Sequence, residues 1–338
     1  MPHCIELCSG GGVASIGIHE AGFTSVGFDY CEKASRTASN NGHTSVQLDL
    51  TRDDALDIIR AHSDHPQMVW ASPPCQGYSL ASNACSARKS ARNSVTRACC
   101  DLIHRIGPPV FVIENVQSAR RHPEFVEAVG VLKQQYHTVE VTLDAAKIPA
   151  ARVCQRRKRV FVVGCRTCAL RGVETIATMR AFVDECAAMM QSDYATAMSD
   201  VIPELVGKRV FMYPRLTRSA CVFDASGPSP TIRSVCLAHP SPAIRDVNPG
   251  IADAVLPDIA LVAKICGVPA TYAFLNERVA TSLILGNCVP PPVAKYVSEF
   301  ARTLIPFAGN GMTRGFHQKG EYRIKPVKCT QFQSTNLD

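Results

Sequence analysis

The chain has 338 residues, 46% of them hydrophobic and 19% charged, with a formal net charge of +7. That composition excludes a disordered chain and leaves room for a large core, with about two domains as the prior for this length. No apolar run approaches the roughly 20 residues that span a bilayer. Met1-Pro2-His3-Cys4-Ile5-Glu6 also lacks a basic stretch leading into an apolar one, so no export signal is read. Sixteen cysteines without such a signal are expected as free thiols in an intracellular, reducing compartment, and the positive charge favours an anionic partner.

In chain order, apolar runs predict short buried strands at Cys4–Cys8, Ser25–Phe28, Ser45–Leu48, Met68–Ala71, Val110–Ile113, Val139–Leu143 and Val160–Val163. Helical segments are expected at Val13–Ala21, Glu32–Asn40, Asp53–Ala61, Val95–Ile106 and Pro123–Gln135. Strands alternating with helices of this length imply an α/β fold with a doubly wound, mostly parallel sheet. Such a sheet takes its ligands at the carboxyl ends of its strands. Residues 165–275 interrupt the alternation and are expected to form a second, smaller domain after the first, 1–164. The chain then returns to the first domain over 276–306, with a last helix near Pro292–Leu304. A basic tail without apolar period, 307–338, is expected to be flexible.

The first strand-to-helix turn reads Glu6-Leu7-Cys8-Ser9-Gly10-Gly11-Gly12. Consecutive glycines let the backbone turn sharply and approach a ligand closely. A dinucleotide, S-adenosylmethionine and a plain tight turn all remain open at this point. Asp29 and Asp49, at the ends of the second and third strands, read singly as helix caps or as ribose contacts. Together they suggest a nucleoside-containing cofactor.

After the fourth strand comes Ala71-Ser72-Pro73-Pro74-Cys75-Gln76-Gly77-Tyr78-Ser79, which presents a single cysteine on a loop stiffened by two prolines. Packing alone does not require this arrangement; taken singly the thiol reads as a nucleophile or as a buried small hydrophobe, and the other motifs of the chain favour the nucleophile. Phe111-Val112-Ile113-Glu114-Asn115-Val116 drives a carboxylate out of an apolar run, where desolvation raises its pKa and lets it donate a proton near neutral pH; a salt-bridged glutamate is the alternative. In Gln155-Arg156-Arg157-Lys158-Arg159, alternate side chains share a face, so Arg157 and Arg159 point the same way. The polar segment from Gly77 to Asn93 holds three cations and suits a mobile loop closing over phosphates.

These segments, in this order, resemble the DNA (cytosine-5)-methyltransferase family. Leu7-Cys8-Ser9-Gly10-Gly11-Gly12 is similar to its first cofactor motif and Pro73-Pro74-Cys75-Gln76 to its nucleophile motif. Glu114-Asn115-Val116 matches its glutamate motif and Gln155 to Arg159 its Gln-x-Arg-x-Arg motif. Gly286-Asn287-Cys288-Val289 matches its last. The chain departs from the family at Cys8, where an aromatic residue is usual, at Glu6 for the usual Asp, and at Cys154 for the usual proline. The helical pattern of Asp258–Gly267 keeps the period of the ninth motif without its charges.

The resemblance implies a Rossmann-like S-adenosyl-L-methionine-dependent DNA (cytosine-5)-methyltransferase acting on double-stranded DNA as a monomer. It implies Cys75, Glu114 and Arg157 as catalytic residues: the nucleophile, the N3/N4 contact, and the O2 contact that also helps keep Cys75 ionised. It implies Glu6, Cys8, Gly10, Gly12, Asp29, Tyr30, Asp49, Leu50, Pro73, Asn287 and Val289 at the cofactor. DNA contacts would come from Gln76, Ser79, Arg92, Gln155, Arg159 and Arg233, and sequence readout from residues 165–275. Arg209, Arg215, Arg218 and Arg245 are further candidates there. No metal is implied: Cys165-Arg166-Thr167-Cys168 lacks a second Cys or His pair. A transfer RNA methyltransferase with the same motifs is one alternative, although the Cys-Phe-Thr tripeptide typical of that branch is missing from the sequence. A catalytically silent DNA-binding homologue is another, opposed by the intact Cys75, Glu114 and Arg157. A companion restriction endonuclease is not readable from the chain.

Overall fold

The central strands of the sheet are continuous apolar runs, Met68–Ala71 and Val110–Ile113, as strands covered on both faces must be. Met68–Ala71, for example, has all four residues buried. In the computed structural model the described residues are 1–75, 78, 86–167, 173–212, 222–234, 237 and 251–305, the side chains of 86–93 excepted. Nine strands lie among them: β1 (His3–Leu7), β2 (Thr24–Asp29), β3 (Thr44–Gln47), β4 (Met68–Ala71), β5 (Val110–Val116), β6 (Tyr136–Asp144), β7 (Lys158–Arg166), β8 (Arg209–Phe211) and β9 (Val222–Asp224). The helices are α1 (Val13–Glu20), α2 (Glu32–Asn40), α3 (Ala55–His62), α4 (Ser86–Ile106), α5 (Pro123–Leu132), α6 (Val173–Gln191), α7 (Met198–Val201), α8 (Ile259–Ile265), α9 (Arg278–Asn287) and α10 (Pro291–Thr303).

The first seven strands form one sheet in the order β3-β2-β1-β4-β5-β7-β6. The first five strands pair in parallel, while β7 runs antiparallel to both β5 and β6. Side-chain alternation divides the sheet into two cores. Cys4, Met68, Trp70 and Val112 face one side, packed with α1, α6 and α10. Ile5, Leu7, Val69, Ala71 and Ile113 face the other, packed with α4 and α5. The chain thus winds onto both faces, as its strand–helix alternation predicts.

Two contacts close the fold. A Cβ built on Gly17 would stand 2.0 Å from the Pro291 carbonyl oxygen, so α1 and α10 approach at backbone distance because residue 17 has no side chain. Phe182 of α6 stacks on Phe300 of α10 at 3.7 Å between ring centroids. The segment that breaks the alternation therefore opens with a helix packed on the large sheet. A third apolar cluster follows, built from residues including Met198, Ile202, Leu205, Val210, Ile232, Val262 and Leu285 around the β8–β9 pair.

The expected loop of residues 77–93 is corrected in its second half. Ser86–Asn93 continues α4 toward its N-terminus, extending the predicted Val95–Ile106 helix. Ser-Ala-Arg-Lys-Ser-Ala-Arg-Asn contains no glycine or proline and several good helix formers, so nothing in it stops the helix.

Candidate active site

Strand register gathers the motifs. Leu7 of β1 is aligned with Phe28 of β2 and Ala71 of β4, and Ala71 with Ile113 of β5. The next residues, Cys8, Asp29, Ser72 and Glu114, therefore stand in a row at the carboxyl end of the parallel strands, where β1 and β4 diverge to opposite sides. This is the topological switch point at which open α/β sheets bind ligands.

Cys75 sits half-buried three residues beyond Ser72. Asn115 holds its loop, donating from Nδ2 to the Pro73 carbonyl at 3.2 Å, and Ser72 N donates to the Leu7 carbonyl at 3.0 Å. Burial pushes the Cys75 thiol above its ordinary value; Arg159 and, less strongly, Arg157 oppose this, and Glu114 adds to it. Glu114 is buried, and its Oε1 lies 3.1 Å from Arg159 Nε. Desolvation raises the Glu114 carboxyl, while Arg159, Arg157 and a hydrogen bond with Ser72 pull it down. Burial lowers the Arg159 guanidinium to about 10. A thiol, a buried carboxyl and a guanidinium thus share one corner of low water content, where electrostatic interactions are strong.

The two arginines divide their work differently from the sequence expectation. Arg157 is only 2% exposed, and its guanidinium donates to the carbonyls of Ile232 at 3.2 Å and Gly286 at 3.1 Å. Arg159 is the one paired with Glu114. Gln155, expected at DNA, is 0% exposed: its Oε1 accepts from Ile232 N at 3.0 Å and its Nε2 donates to Cys266 Sγ at 3.4 Å. Both ends of this buried amide are engaged within the fold. Both residues fasten the 230s segment to the sheet, and Gly286 permits it, since a Cβ there would lie 2.2 Å from Ser234 N.

The glycine turn is held by Asp29, whose Oδ2 accepts from Gly10 N at 2.8 Å and whose Oδ1 accepts from Cys31 N at 2.9 Å. Each oxygen keeps a further lone pair. Gly10 and Gly12 have φ of 57° and 77°, and a Cβ on Gly10 would meet nothing within 4 Å, so the turn faces open space. Beside it, Tyr30, Gln47, Leu48, Asp49, Arg52 and Ile58 line a cavity of about 470 Å³. Tyr30 is 73% exposed at its lip. Asp49 Oδ1 accepts from both Thr51 N and Thr51 Oγ1. Leu50 and Val289 are buried behind the site, Asn287 is exposed at the end of α9, and Glu6 lies under the turn, where burial raises its carboxyl to about 6. Gln76, Ser79, Arg215, Arg218, Arg245, Cys168 and the Arg92 side chain lie outside the described residues. Arg233 is half-buried, next to the Ile232 that Arg157 and Gln155 hold. Among the described residues no cluster of three or more His, Cys, Asp or Glu could hold a metal, and no helix is long and apolar enough to cross a membrane.

Sequence reasoning passed over three residues. Ser72 accepts from Trp70 Nε1 at 3.0 Å and bonds Glu114; its signal was its register position beside Cys8 and Glu114. Arg52 lines the cavity and could have been found by its closeness to Asp49. Tyr272 donates its hydroxyl to the Gly11 carbonyl from 261 residues away, and no local pattern announces it.

A family model for C-5 cytosine-specific DNA methylases matches residues 3–201. The chain belongs to that family. The Type II methyltransferase M.HindV of Haemophilus influenzae is 25% identical over 307 residues, covering 88% of this chain and 95% of the relative. M.AplI of Arthrospira platensis is 24% identical over 310 residues, covering 87% and 84%. Two solved structures share the fold. S. pombe Dnmt2 methyltransferase has a TM-score of 0.61 at 14% identity, covering 90% of this chain and 99% of that one. A Spodoptera frugiperda DNMT2 variant has a TM-score of 0.64 at 14% identity, covering 89% and 100%. S-adenosyl-L-methionine is the cofactor of this methylase. The residues present fit it: a positive-φ glycine turn open to a ligand and a neighbouring cavity with an aromatic lip and the Asp49 carboxylate.

Proposed function

We propose that this methylase transfers a methyl group to C5 of a cytosine flipped out of duplex DNA, with Cys75 as nucleophile. The observation that carries the reading is the convergence of Cys75, Glu114 and Arg159 in one buried corner beside the glycine turn. C5 of cytosine is a poor nucleophile until a thiolate adds to C6. Cys75 makes that bond, and C5 becomes enamine-like. Glu114, inclined by burial to keep its proton, hydrogen-bonds the N3/N4 edge and stabilises the charge that develops there. Arg159 holds Glu114 and offers its remaining N–H groups to O2, the role the sequence suggested for Arg157. The bound cofactor supplies a sulfonium methyl as the electrophile. Removal of the C5 proton then expels Cys75 as thiolate.

The target atom is inaccessible inside a stacked duplex, which makes flipping necessary. Sequence readout is assigned to residues 165–275, in particular the part beyond α6. There Arg209 is half-exposed, with Asp253 at 3.8 Å. Asp29, with spare lone pairs, and Asp49 are assigned to hydroxyl and amine groups of the cofactor, and Asn287 to its rim.

Duplex DNA carrying 5-fluorocytosine tests the mechanism, because fluorine cannot leave as a cation. A covalent adduct mapped to Cys75 is expected, with none in Cys75→Ala. Methylation by Cys75→Ala would sink the reading. Transfer of a tritiated methyl group to transfer RNA in preference to duplex DNA would overturn the substrate.

A further inference from the structure

Cys8 and Cys99 are both free thiols, with sulfurs 3.9 Å apart. Cys8 is half-buried in the cofactor turn with φ 59°, one of two non-glycine residues with positive φ among those described. Cys99 is fully buried on α4, the helix that follows the Cys75 loop. The turn is otherwise tied by Ser9 N to the Phe28 carbonyl, Gly12 N to the Ser9 carbonyl, Gly10 N to Asp29 and the Tyr272 hydroxyl to the Gly11 carbonyl. The accessible member of the pair is therefore the one that lies in the ligand-facing turn.

We propose that Cys8 and Cys99 form an oxidation site for a peroxide, closing to a disulfide that draws the cofactor turn onto α4 and weakens S-adenosyl-L-methionine binding. The Cys8 sulfur attacks the O–O bond and becomes a sulfenic acid, releasing water from hydrogen peroxide or an alcohol from an organic peroxide. The Cys99 sulfur then displaces the sulfenic hydroxyl, which leaves as water with the Cys99 proton. Two thiols lose two electrons and the peroxide gains them. Closing the pair from 3.9 Å to a bond of about 2.05 Å is a short movement. The effect on binding rests on the cofactor reading above; formation of the bond does not.

The full-length reduced protein is treated with hydrogen peroxide, digested without reductant and mapped by mass spectrometry. A Cys8–Cys99 linked peptide is expected, slowed by S-adenosylhomocysteine and reversed by dithiothreitol. Calorimetric affinity for S-adenosyl-L-methionine should fall about ten-fold or more on oxidation. Cys99→Ala should keep the reduced affinity and leave a Cys8 sulfenic acid that dimedone captures. Cys8 and Cys99 recovered as free thiols, or linked to other cysteines, would overturn the site. A linked pair with unchanged affinity would overturn its consequence. Reduced protein that does not bind the cofactor at all would count against the cofactor reading, and the linkage would stand.

Discussion

The Arg157 guanidinium donates to the main-chain carbonyl of Gly286, 3.1 Å away and 129 residues further along the chain. Arg159, two residues on, turns instead to Glu114 at 3.1 Å. One arginine fastens the fold and the other is proposed to serve the site, so their substitutions should separate. Arg157→Met strands two buried carbonyls at about 1–3 kcal/mol each, so the melting temperature should drop markedly. Arg159→Gln should melt closer to the parent while its methylation rate falls about 10²–10³-fold. Equal melting temperatures for the two variants in calorimetry would refute the division.

The nucleophile has a pH signature. Burial holds the Cys75 thiol above its ordinary value against the pull of Arg159 and Arg157. The thiolate is the reactive form, so alkylation of Cys75 should rise about ten-fold per pH unit from pH 7 upward and reach no plateau at the ordinary thiol value. Removing the cation in Arg159→Gln should move the profile to still higher pH. A shift to lower pH would contradict the electrostatics of the corner.

Glu6 carries a stability test. Its folded carboxyl is raised to about 6 from 4.5, chiefly by burial, while hydrogen bonds with Ser25 and Ser15 oppose the rise. The folded state binds this proton more tightly than the unfolded chain. The contribution is therefore fully present below pH 4.5 and lost as pH rises through about 6. Glu6→Gln, whose side-chain oxygen can still accept from Ser15, should be more stable than the parent by about 2 kcal/mol at pH 8 and no more stable at pH 4. Urea denaturation at the two pH values reads the difference directly.

Gly10 and Gly12 should respond differently to the same substitution. Both have positive φ, so alanine costs about 1–2 kcal/mol of backbone strain at either. At Gly12 the new Cβ also lies 2.9 Å from Ala38 Cβ and 3.1 Å from His43 Cδ2, adding about 1–3 kcal/mol of overpacking. At Gly10 it meets nothing within 4 Å and enters the open space proposed for the cofactor. Gly12→Ala should lose more in thermal unfolding, and Gly10→Ala more in calorimetric affinity relative to its stability.

Much of this was legible in the sequence because it is local. Apolar runs such as Met68–Ala71 specify buried strands, and a motif placed directly after a strand inherits that strand's position at the sheet edge. The period of two placed Arg157 and Arg159 on one face but could not say which reaches Glu114. That depends on Ile232 and Gly286 offering carbonyls to the first, a long-range fact. The contacts of Gln155 within the fold were not legible either, because its partners Ile232 and Cys266 are 77 and 111 residues distant. The start of α4 was obscured because its first turns carry no apolar period, although nothing in Ser86–Asn93 stops a helix.

Tyr272 donates to the Gly11 carbonyl, and Gly17 lies against Pro291. Synthesis from the N-terminus makes the glycine turn among the first residues and its supports nearly last. A nascent chain that has just passed Arg159 already carries Cys75, Glu114 and both arginines, yet lacks the Tyr272 hydroxyl that holds the Gly11 carbonyl. Fragments that stop short of residue 272 should therefore keep every reacting side chain and fail at cofactor capture.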